Sequence, residues 1–181
     1  MLEQPERAIQ LVRDLLSGTR VESDTVTARG RGRLDKAREA KLWCLLGDLE
    51  PDSAEKHYLH AWSISGETSG RAARALGSLY FSRDAYEKAI PFFEIGARIN
   101  PLLTRTWFLL GWAEIRKERP DWKSARDAIA MCVAIDDEDV ESWNNLATVY
   151  LRMEDIKNGS VGDLVMFVCG TNADGSSCSA G

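Results

Sequence analysis

The 181-residue chain has few residues that bind metals or form disulfides, because it contains two histidines and four cysteines. The cysteines show no CxxC pair and no histidine at ligand spacing, so they predict buried or free thiols rather than a zinc site. His57 and His60 lie close together on a predicted helix, but no third ligand is near them in sequence. We therefore expect no metal and no other cofactor.

A long hydrophobic run is missing from the first residues. Residues 1–16 carry five charged side chains among their apolar ones, which argues against a signal peptide or a membrane span there. We expect no membrane contact and a location in the cytoplasm, with the nucleus as a second location. The net charge of −5 disfavours general nucleic-acid binding, which needs a basic surface, although a local basic strip stays open.

Motifs that support catalysis are missing as well. The sequence has no G-x-S-x-G element, no glycine loop that follows a strand and binds phosphate, and no histidine beside a plausible nucleophile. These absences argue against an enzyme. Binding functions therefore remain.

What the sequence does contain, from residue 69 to residue 150, is one helical-hairpin pattern written twice in full and begun a third time. Its anchors Ala73, Trp107 and Trp143 are separated by 34 and then 36 residues, a period typical of helical solenoids. The other residues of the pattern are Leu76, Gly77, Tyr80, Ala89, Phe93, Pro101, Leu110, Gly111, Trp122, Ala125, Ile129, Cys132, Leu146, Ala147 and Tyr150. Glycine and alanine at recurring positions let two helices approach closely where they cross.

The order W-x-x-L-G-x-x-Y, followed by A-x-x-x-F and a proline, resembles the tetratricopeptide repeat. The resemblance implies an all-α fold, a right-handed superhelical solenoid of helical hairpins. Asn100 and Pro101 should end the second helix of a hairpin, because the residue before a proline leaves the α region and proline lacks a backbone donor.

We predict four regions along the chain. Residues 1–17 form an amphipathic helix, half of a preceding repeat, and residues 18–33 form a flexible basic loop. The solenoid covers 34–155, and 156–181 form an atypical, disordered tail. Within the solenoid, a divergent repeat spans 40–69, two repeats span 70–103 and 104–139, and an incomplete repeat spans 140–155.

The repeat pattern breaks after Asp155, because the expected second helix of the last repeat does not follow. We therefore expect Leu146, Val149 and Tyr150 to be exposed, and we interpret the break as a truncated or mis-spliced end.

Two expectations concern helices earlier in the chain. A helix over 53–65 is expected to bury Tyr58, Leu59, Ala61 and Trp62. Pro91 is expected to bend its helix on the solvent side.

Three strings, KAREAKLWCLLGDLE, DAYEKAIPFFEIGARINP and ESWNNLATVYLRM, resemble one family more closely. They are similar to the eukaryotic family named "essential for maintenance of the cell wall" in fungi and tetratricopeptide repeat protein twenty-seven in animals. The similarity covers 34–153, and members of that family are much longer, so the chain resembles an internal segment. The resemblance implies a soluble scaffold in the cytosol or nucleus, a role in cell-wall integrity for fungal members, and no catalytic residues.

Stacked hairpins leave their first helices facing a common concave groove, and the resemblance assigns groove residues to fixed motif positions. The predicted partner-binding residues are Arg71, Arg74, Arg105, Phe108, Trp112, Arg116, Asn144 and Arg152. Arginine offers carboxylates a planar fork of donors, and buried aromatic residues carry much of an interface's energy. We therefore predict a protein-interaction scaffold, part of a multiprotein complex, whose partner is acidic with embedded apolar residues.

Two other binding functions stay open at this stage: an RNA-binding helical-repeat protein and a co-chaperone-like adaptor. Receptors for acidic C-terminal tails carry lysine and asparagine at the two positions that Phe108 and Trp112 occupy here, although Asn145 fits their pattern. The resemblance therefore disfavours that kind of adaptor. A simpler interpretation of the groove also stays open, in which the arginines are solvated and Trp112 packs internally.

Overall fold

The computed structural model describes residues 3–17 and 35–157, and every regular element in these ranges is helical. The elements are α1 (Glu3–Ser17), α2 (Lys36–Leu49), a 3-10 turn (Pro51–Ser53), α3 (Ala54–Ile64), α4 (Gly70–Ser82), α5 (Tyr86–Ile99), α6 (Thr104–Arg116), α7 (Trp122–Ile135) and α8 (Val140–Lys157). The predicted all-α fold is thus confirmed for the described residues. The loop predicted over 18–33 lies outside them, as does nearly all of the predicted tail.

Local sequence signals fix where these helices begin and end. Asp35, Ser69 and Asp121 precede α2, α4 and α7, and the side chain of each accepts a hydrogen bond from the backbone N–H three residues later. Asn100 caps the C-terminus of α5 immediately before Pro101, as predicted. Pro91 lies on the exposed side of α5, so its missing N–H disturbs no buried contact.

The helices form hairpins that stack in chain order. We call α2, α4, α6 and α8 the A helices, and α3, α5 and α7 the B helices. Each of α2, α4 and α6 packs most extensively against the B helix that follows it, and each B helix also contacts the next A helix. In addition α2 contacts α4 and α4 contacts α6, so these A helices share one face of the molecule.

Small residues stand where the A and B helices cross. A Cβ atom added to Gly77 would lie 2.7 Å from the ring of Phe93, and one added to Gly111 would lie 2.7 Å from Ile129. Gly47 faces the ring of Tyr58 in the same way. The close approach predicted from the repeated glycines is therefore confirmed, and it also holds in the divergent first repeat.

Within the described residues, α8 packs only against the preceding repeat. Leu146 and Val149 are buried against Ile129 and Val133 of α7, so their predicted exposure is wrong. They face the B helix of the preceding repeat, which covers them without a further helix. Tyr150 is 52% exposed, as predicted, and α8 continues to Lys157, beyond the predicted end of the incomplete repeat at residue 155.

Two further apolar residues lie outside the interior. Leu59 is 41% exposed, which contradicts its predicted inward position, whereas Tyr58, Ala61 and Trp62 are buried. Residues 58, 61 and 62 share one side of α3, and a residue next to Tyr58 points about 100° away from it. Trp143, one of the three anchors of the repeat pattern, is half exposed, and its indole N–H donates to the Asp137 carbonyl at 2.9 Å.

Candidate functional site

A cleft of about 550 Å³ lies between the A helices α2, α4 and α6. We call it the arginine cleft, because Arg71, Arg74 and Arg105 line it. Arg71 and Arg74 lie one turn apart on α4, whereas Arg105 lies on α6 in the next repeat, and the shared face of the A helices brings the three together. Three of the eight predicted partner-binding residues thus meet in one concave site.

The side chain of Arg74 packs against the backbone of two glycines. Its Cγ would lie 2.8 Å from a Cβ added to Gly96 of α5, and its Nη1 would lie 3.2 Å from a Cβ added to Gly70. The stem therefore runs across backbone that carries no side chain, and the residue is only half exposed. Neither Arg74 nor Arg105 forms an ion pair within the described ranges.

Asp48 offsets the charge of the third arginine. Its Oδ2 accepts a hydrogen bond from Arg71 Nη2 at 2.6 Å, and its Oδ1 accepts one from the Tyr58 hydroxyl at 2.7 Å. Burial, together with this hydrogen bond to Asp48, raises the pKa of Tyr58, so the phenol stays protonated and donates. The cationic part of the cleft is therefore centred on Arg74 and Arg105.

A stack of three side chains follows along α6. The rings of Phe108 and Trp112 meet edge to face with centroids 6.0 Å apart, and the Arg116 guanidinium lies 5.2 Å above the Trp112 ring. Phe108 is half-buried, whereas Trp112 is 8% exposed. Phe108 is therefore the more accessible of the two predicted anchors.

A second, smaller cavity of about 20 Å³ lies where α6, α7 and α8 meet. We call it the α6–α8 cavity. It is lined by Trp112, Asn145, Thr148 and Arg152, together with apolar side chains of the three helices. Unlike the other neighbouring A helices, α6 and α8 make no close backbone contact within the described residues, and this separation leaves room for the cavity.

The predicted site residues therefore divide into groups. Arg71, Arg74 and Arg105 line the arginine cleft; Phe108, Trp112 and Arg116 stack on α6; Arg152 and Trp112 line the α6–α8 cavity. Asn144 lines neither cavity: it is exposed, and its carbonyl accepts a hydrogen bond from Thr148 at 2.9 Å.

Asp48 and Asn145 are two of the lining residues outside the sequence-based set, and both matter for the hydrogen bonding of the cavities. Asp48 occupies the ninth position of the divergent repeat, counting from residue 40, and the predicted groove positions cover only the later repeats. From the sequence, Asn145 fits the pattern of an acidic-tail receptor, whereas its neighbour Asn144 occupies a groove position. Applying the same positional count to every repeat would have identified Asp48.

Neither histidine lies in these cavities. The Nε2 atom of His57 is 2.9 Å from Oε2 of Glu50, and the His57 ring stacks on Trp43, which His60 contacts edge-on. Glu50 also pairs with Arg13 of α1 at 2.5 Å, so this cluster ties α1, α2 and α3 together. No group of three potential metal ligands occurs in the described part of the chain.

Among the described helices, none is both long and apolar enough to cross a membrane.

Comparison with known sequences identifies repeat proteins. A TPR repeat-containing protein of Schizosaccharomyces pombe is 39% identical over 114 residues, which cover 63% of this chain and 14% of that protein. The tetratricopeptide repeat protein 27 homolog of Dictyostelium discoideum is 38% identical over 87 residues, 48% of this chain and 10% of that protein. Essential for maintenance of the cell wall protein 1 of Saccharomyces cerevisiae is 25% identical over 128 residues, 66% of this chain and 13% of that protein.

A solved structure shows the same arrangement of helices. MamA 41-end from Desulfovibrio magneticus RS-1 superposes with a TM-score of 0.62 over 87% of this chain and 81% of that chain, at 16% sequence identity. The fold is a tetratricopeptide-repeat solenoid. No family model matches the chain.

The tetratricopeptide-repeat relatives confirm both predicted resemblances, to the repeat in general and to the protein 27 and cell-wall-maintenance proteins. The chain spans a small part of the length of each relative, between 10% and 14% of the three just described. The activity and partners of these longer proteins therefore do not follow for this chain.

Proposed function

We propose that this solenoid is a non-catalytic protein-interaction module whose A helices bind an acidic partner segment with embedded apolar residues. The observation that carries the proposal is the arginine cleft, where Arg74 and Arg105 have no carboxylate partner within the described residues. A carboxylate of the partner would occupy this position, because a guanidinium binds it through two parallel hydrogen bonds.

The fixed position of Arg74 supports this assignment. A surface arginine normally loses side-chain entropy when it binds, and that loss weakens the complex. The stem of Arg74 already lies across Gly70 and Gly96, so part of this loss is incurred on folding. Arg74 is therefore the residue we expect to contribute most to binding in the cleft.

The aromatic stack supplies the apolar part of the proposed site. Phe108 is half-buried and can cover an apolar side chain of the partner, and Trp112 supports it from below. Arg105 and Phe108 are three residues apart on α6, about 4.5 Å along the helix axis. An extended segment advances about 3.3 Å per residue, so its acidic and apolar residues would lie one or two positions apart.

A capture experiment tests the proposal with the whole chain as bait. We compare wild type with the double variant Arg74→Glu, Arg105→Glu across a salt series and identify the captured proteins by mass spectrometry. Each charge-assisted hydrogen bond contributes about 1.5–3 kcal/mol, so we expect at least a tenfold loss of acidic partners. The wild-type interaction should also weaken as salt rises.

The matched control is Arg98→Glu, Arg119→Glu, which makes the same change in net charge at two exposed arginines outside the arginine cleft. The control should retain the partners. If both double variants capture the same proteins in the same amounts as wild type at every salt concentration, the arginine cleft is not the binding surface. Retention of RNA in place of protein at low salt would favour the RNA-binding alternative.

The biological setting is also a proposal. The name of the yeast relative, essential for maintenance of the cell wall protein 1, supports a role in cell-wall maintenance for the longer fungal protein that contains such a segment. We propose that this segment contributes a partner contact to that role, in the cytoplasm and also in the nucleus. A fungal strain whose own protein carries the Arg74→Glu, Arg105→Glu changes at the aligned positions should become sensitive to cell-wall stress, and normal growth under that stress would contradict the role.

A further inference from the structure

Two buried hydrogen-bond donors in the α6–α8 cavity have no acceptor. The indole Nε1 of Trp112 and the amide Nδ2 of Asn145 are both screened from solvent and unpartnered within the described residues. Both residues are 8% exposed, and both line the same small cavity. Their coincidence in one cavity is more informative than either donor alone, because buried polar groups in native proteins are nearly always satisfied.

The described lining does not supply the missing acceptor. Its other residues are mainly apolar, among them Ile115, Ile129 and Val149, and the guanidinium of Arg152 only donates hydrogen bonds. The hydroxyl of Thr148, which also lines the cavity, donates to the Asn144 carbonyl at 2.9 Å and forms no hydrogen bond with either donor. A buried donor that leaves water without gaining an acceptor lowers the stability of the folded state. Such a cost persists where the group serves binding.

We propose that Trp112 and Asn145 form a two-donor site that holds one neutral carbonyl oxygen of the bound partner. A volume of about 20 Å³ admits a single oxygen-sized group. Both donors are uncharged, and Arg152, the charged residue of the lining, already has an interaction of its own, so the cavity offers a carboxylate no free cation. Bringing a carboxylate into this cavity therefore costs far more than bringing a carbonyl. The carbonyl belongs to the main chain or to a side-chain amide of the segment in the groove, and small rotamer changes of the lining residues admit it.

This inference rests on the proposed function, because the carbonyl comes from the segment bound along the A helices. It adds a contact that the arginine cleft cannot provide. Arginines select acidic segments, whereas a main-chain carbonyl is present in every segment. The two-donor site would therefore fix the position of the partner along α6 and α8, while the cleft selects its charge.

The melting temperature of Asn145→Leu shows whether the Asn145 amide N–H is unsatisfied in the free protein or already donates to a buried water. If the donor is unsatisfied in the free protein, the similar-sized apolar side chain removes a penalty, and the melting temperature stays constant or rises. If a buried water bridges the two donors, the substitution leaves that water without a partner and the melting temperature falls. Asn144→Leu, on the exposed neighbour outside the cavity, is the matched control.

Nuclear magnetic resonance tests the carbonyl directly with N-methylacetamide, a mimic of the main-chain amide. Titration should move the indole N–H signal of Trp112 and the amide N–H signals of Asn145 downfield. The indole of Trp43 is the internal reference, because its Nε1 is also buried without an acceptor but it lies outside this cavity. The Trp43 signal should stay in place, and formate should shift the Trp112 and Asn145 signals less than N-methylacetamide does.

Partner affinity provides the last measurement. Asn145→Leu should raise the Kd for the captured partner about fivefold, as expected for one lost hydrogen bond. An unmoved Trp112 signal, a lowered melting temperature in Asn145→Leu alone, or an unchanged Kd would each overturn the two-donor site. Those results would leave the arginine cleft standing, since only the Arg74→Glu, Arg105→Glu variant tests it.

Discussion

At the scale of single residues, the cysteines show how the helical packing controls chemistry. Cys44 and Cys132 are free thiols at fully buried positions, as the spacing of the cysteines predicted. Burial raises the pKa of both thiols to about 11, because a thiolate is poorly solvated between packed helices. Cys169 and Cys178 lie outside the described residues.

The raised pKa values predict slow alkylation in the folded protein. At pH 8 a thiol with a pKa of about 11 is ionised in roughly one molecule in a thousand, so iodoacetamide should label Cys44 and Cys132 at least ~100-fold more slowly than it labels glutathione. Mass spectrometry of native and urea-unfolded protein measures the two rates. Native labelling as fast as that of the unfolded chain would show that these helices open readily.

The same shift has a consequence for stability at high pH. The folded pKa lies above the ordinary thiol value of 9.0, so the stabilising contribution is complete below pH 9 and is lost as the pH rises towards about 11. The urea midpoint should therefore be constant from pH 7 to about 8.5 and fall above pH 9. Replacing both cysteines with alanine should reduce that fall.

At the scale of helices, Asp48 connects the hairpin of α2 and α3 with helix α4 of the next hairpin. Its two carboxylate oxygens bind Tyr58 of α3 and Arg71 of α4. Both side chains of the Arg71–Asp48 ion pair are about half exposed, so this pair by itself contributes at most about 1 kcal/mol to the free energy of unfolding. The hydrogen bond from the part-buried Tyr58 hydroxyl adds about 0.5–1.5 kcal/mol.

Asp48→Ala should therefore lower the free energy of unfolding by about 1–2 kcal/mol, measured by urea denaturation. Arg71→Ala removes only the ion pair and should cost less than about 1 kcal/mol. Asp52→Ala, on an exposed carboxylate in the turn before α3, should change stability by no more than about 0.5 kcal/mol. Equal losses for Asp48→Ala and Asp52→Ala would show that the contact between hairpins is unimportant.

The comparison of sequence and structure also belongs to this scale. Helix α7 begins at the pattern residue Trp122, because Asp121 gives a clear capping signal, and it ends where the apolar period ends, at Ile135. Leu146 and Val149 were misassigned because a periodic pattern shows which residues share a helix face but not which neighbour covers that face. The burial of a helix in a solenoid depends on the helices on both sides of it, whereas the predicted exposure depends only on the helix that follows.

The candidate site was predictable to a similar degree. Counting motif positions identified Arg71, Arg74 and Arg105, because α4 and α6 both present the second position of the motif to the arginine cleft, and α4 also presents the fifth. The count could not reveal that Asp48 binds Arg71, or that Asn145 and Trp112 both lack acceptors, because these facts depend on side-chain distances between repeats. The spacing of residues in the sequence indicates which helix face they share, whereas contacts between side chains of different helices are seen only in the structure.

At the scale of the whole molecule, each described helix contacts only its neighbours along the stack. No close backbone contact connects α1, α2 or α3 with α6, α7 or α8 in the described ranges. In such an array stability is approximately a sum of repeat terms and nearest-neighbour interface terms, so a local defect should not reach distant repeats. This behaviour differs from that of a protein with one central core, in which a core defect lowers protection everywhere.

The substitution Gly111→Ala creates such a local defect. Its Cβ would lie 2.7 Å from Cγ1 of buried Ile129 and 3.3 Å from the Ala125 carbonyl oxygen, so α6 and α7 must move apart. Overpacking costs about 1–3 kcal/mol, and the better helix propensity of alanine recovers about 1 kcal/mol. The net loss is therefore up to about 2 kcal/mol, and a loss of about 1 kcal/mol corresponds to roughly fivefold faster amide hydrogen exchange.

Hydrogen exchange should therefore accelerate in α6 and α7 of Gly111→Ala and, through their interfaces, in α5 and α8, and it should stay near the wild-type rate in α2 and α3. Gly77→Ala is the matched variant, because its Cβ would lie equally close to Phe93 in the central hairpin. It should accelerate exchange in α4 and α5 and, through their interfaces, in α3 and α6. If Gly111→Ala instead accelerates exchange equally in all described helices, the protein unfolds as one cooperative unit, and the additive description of the solenoid is wrong.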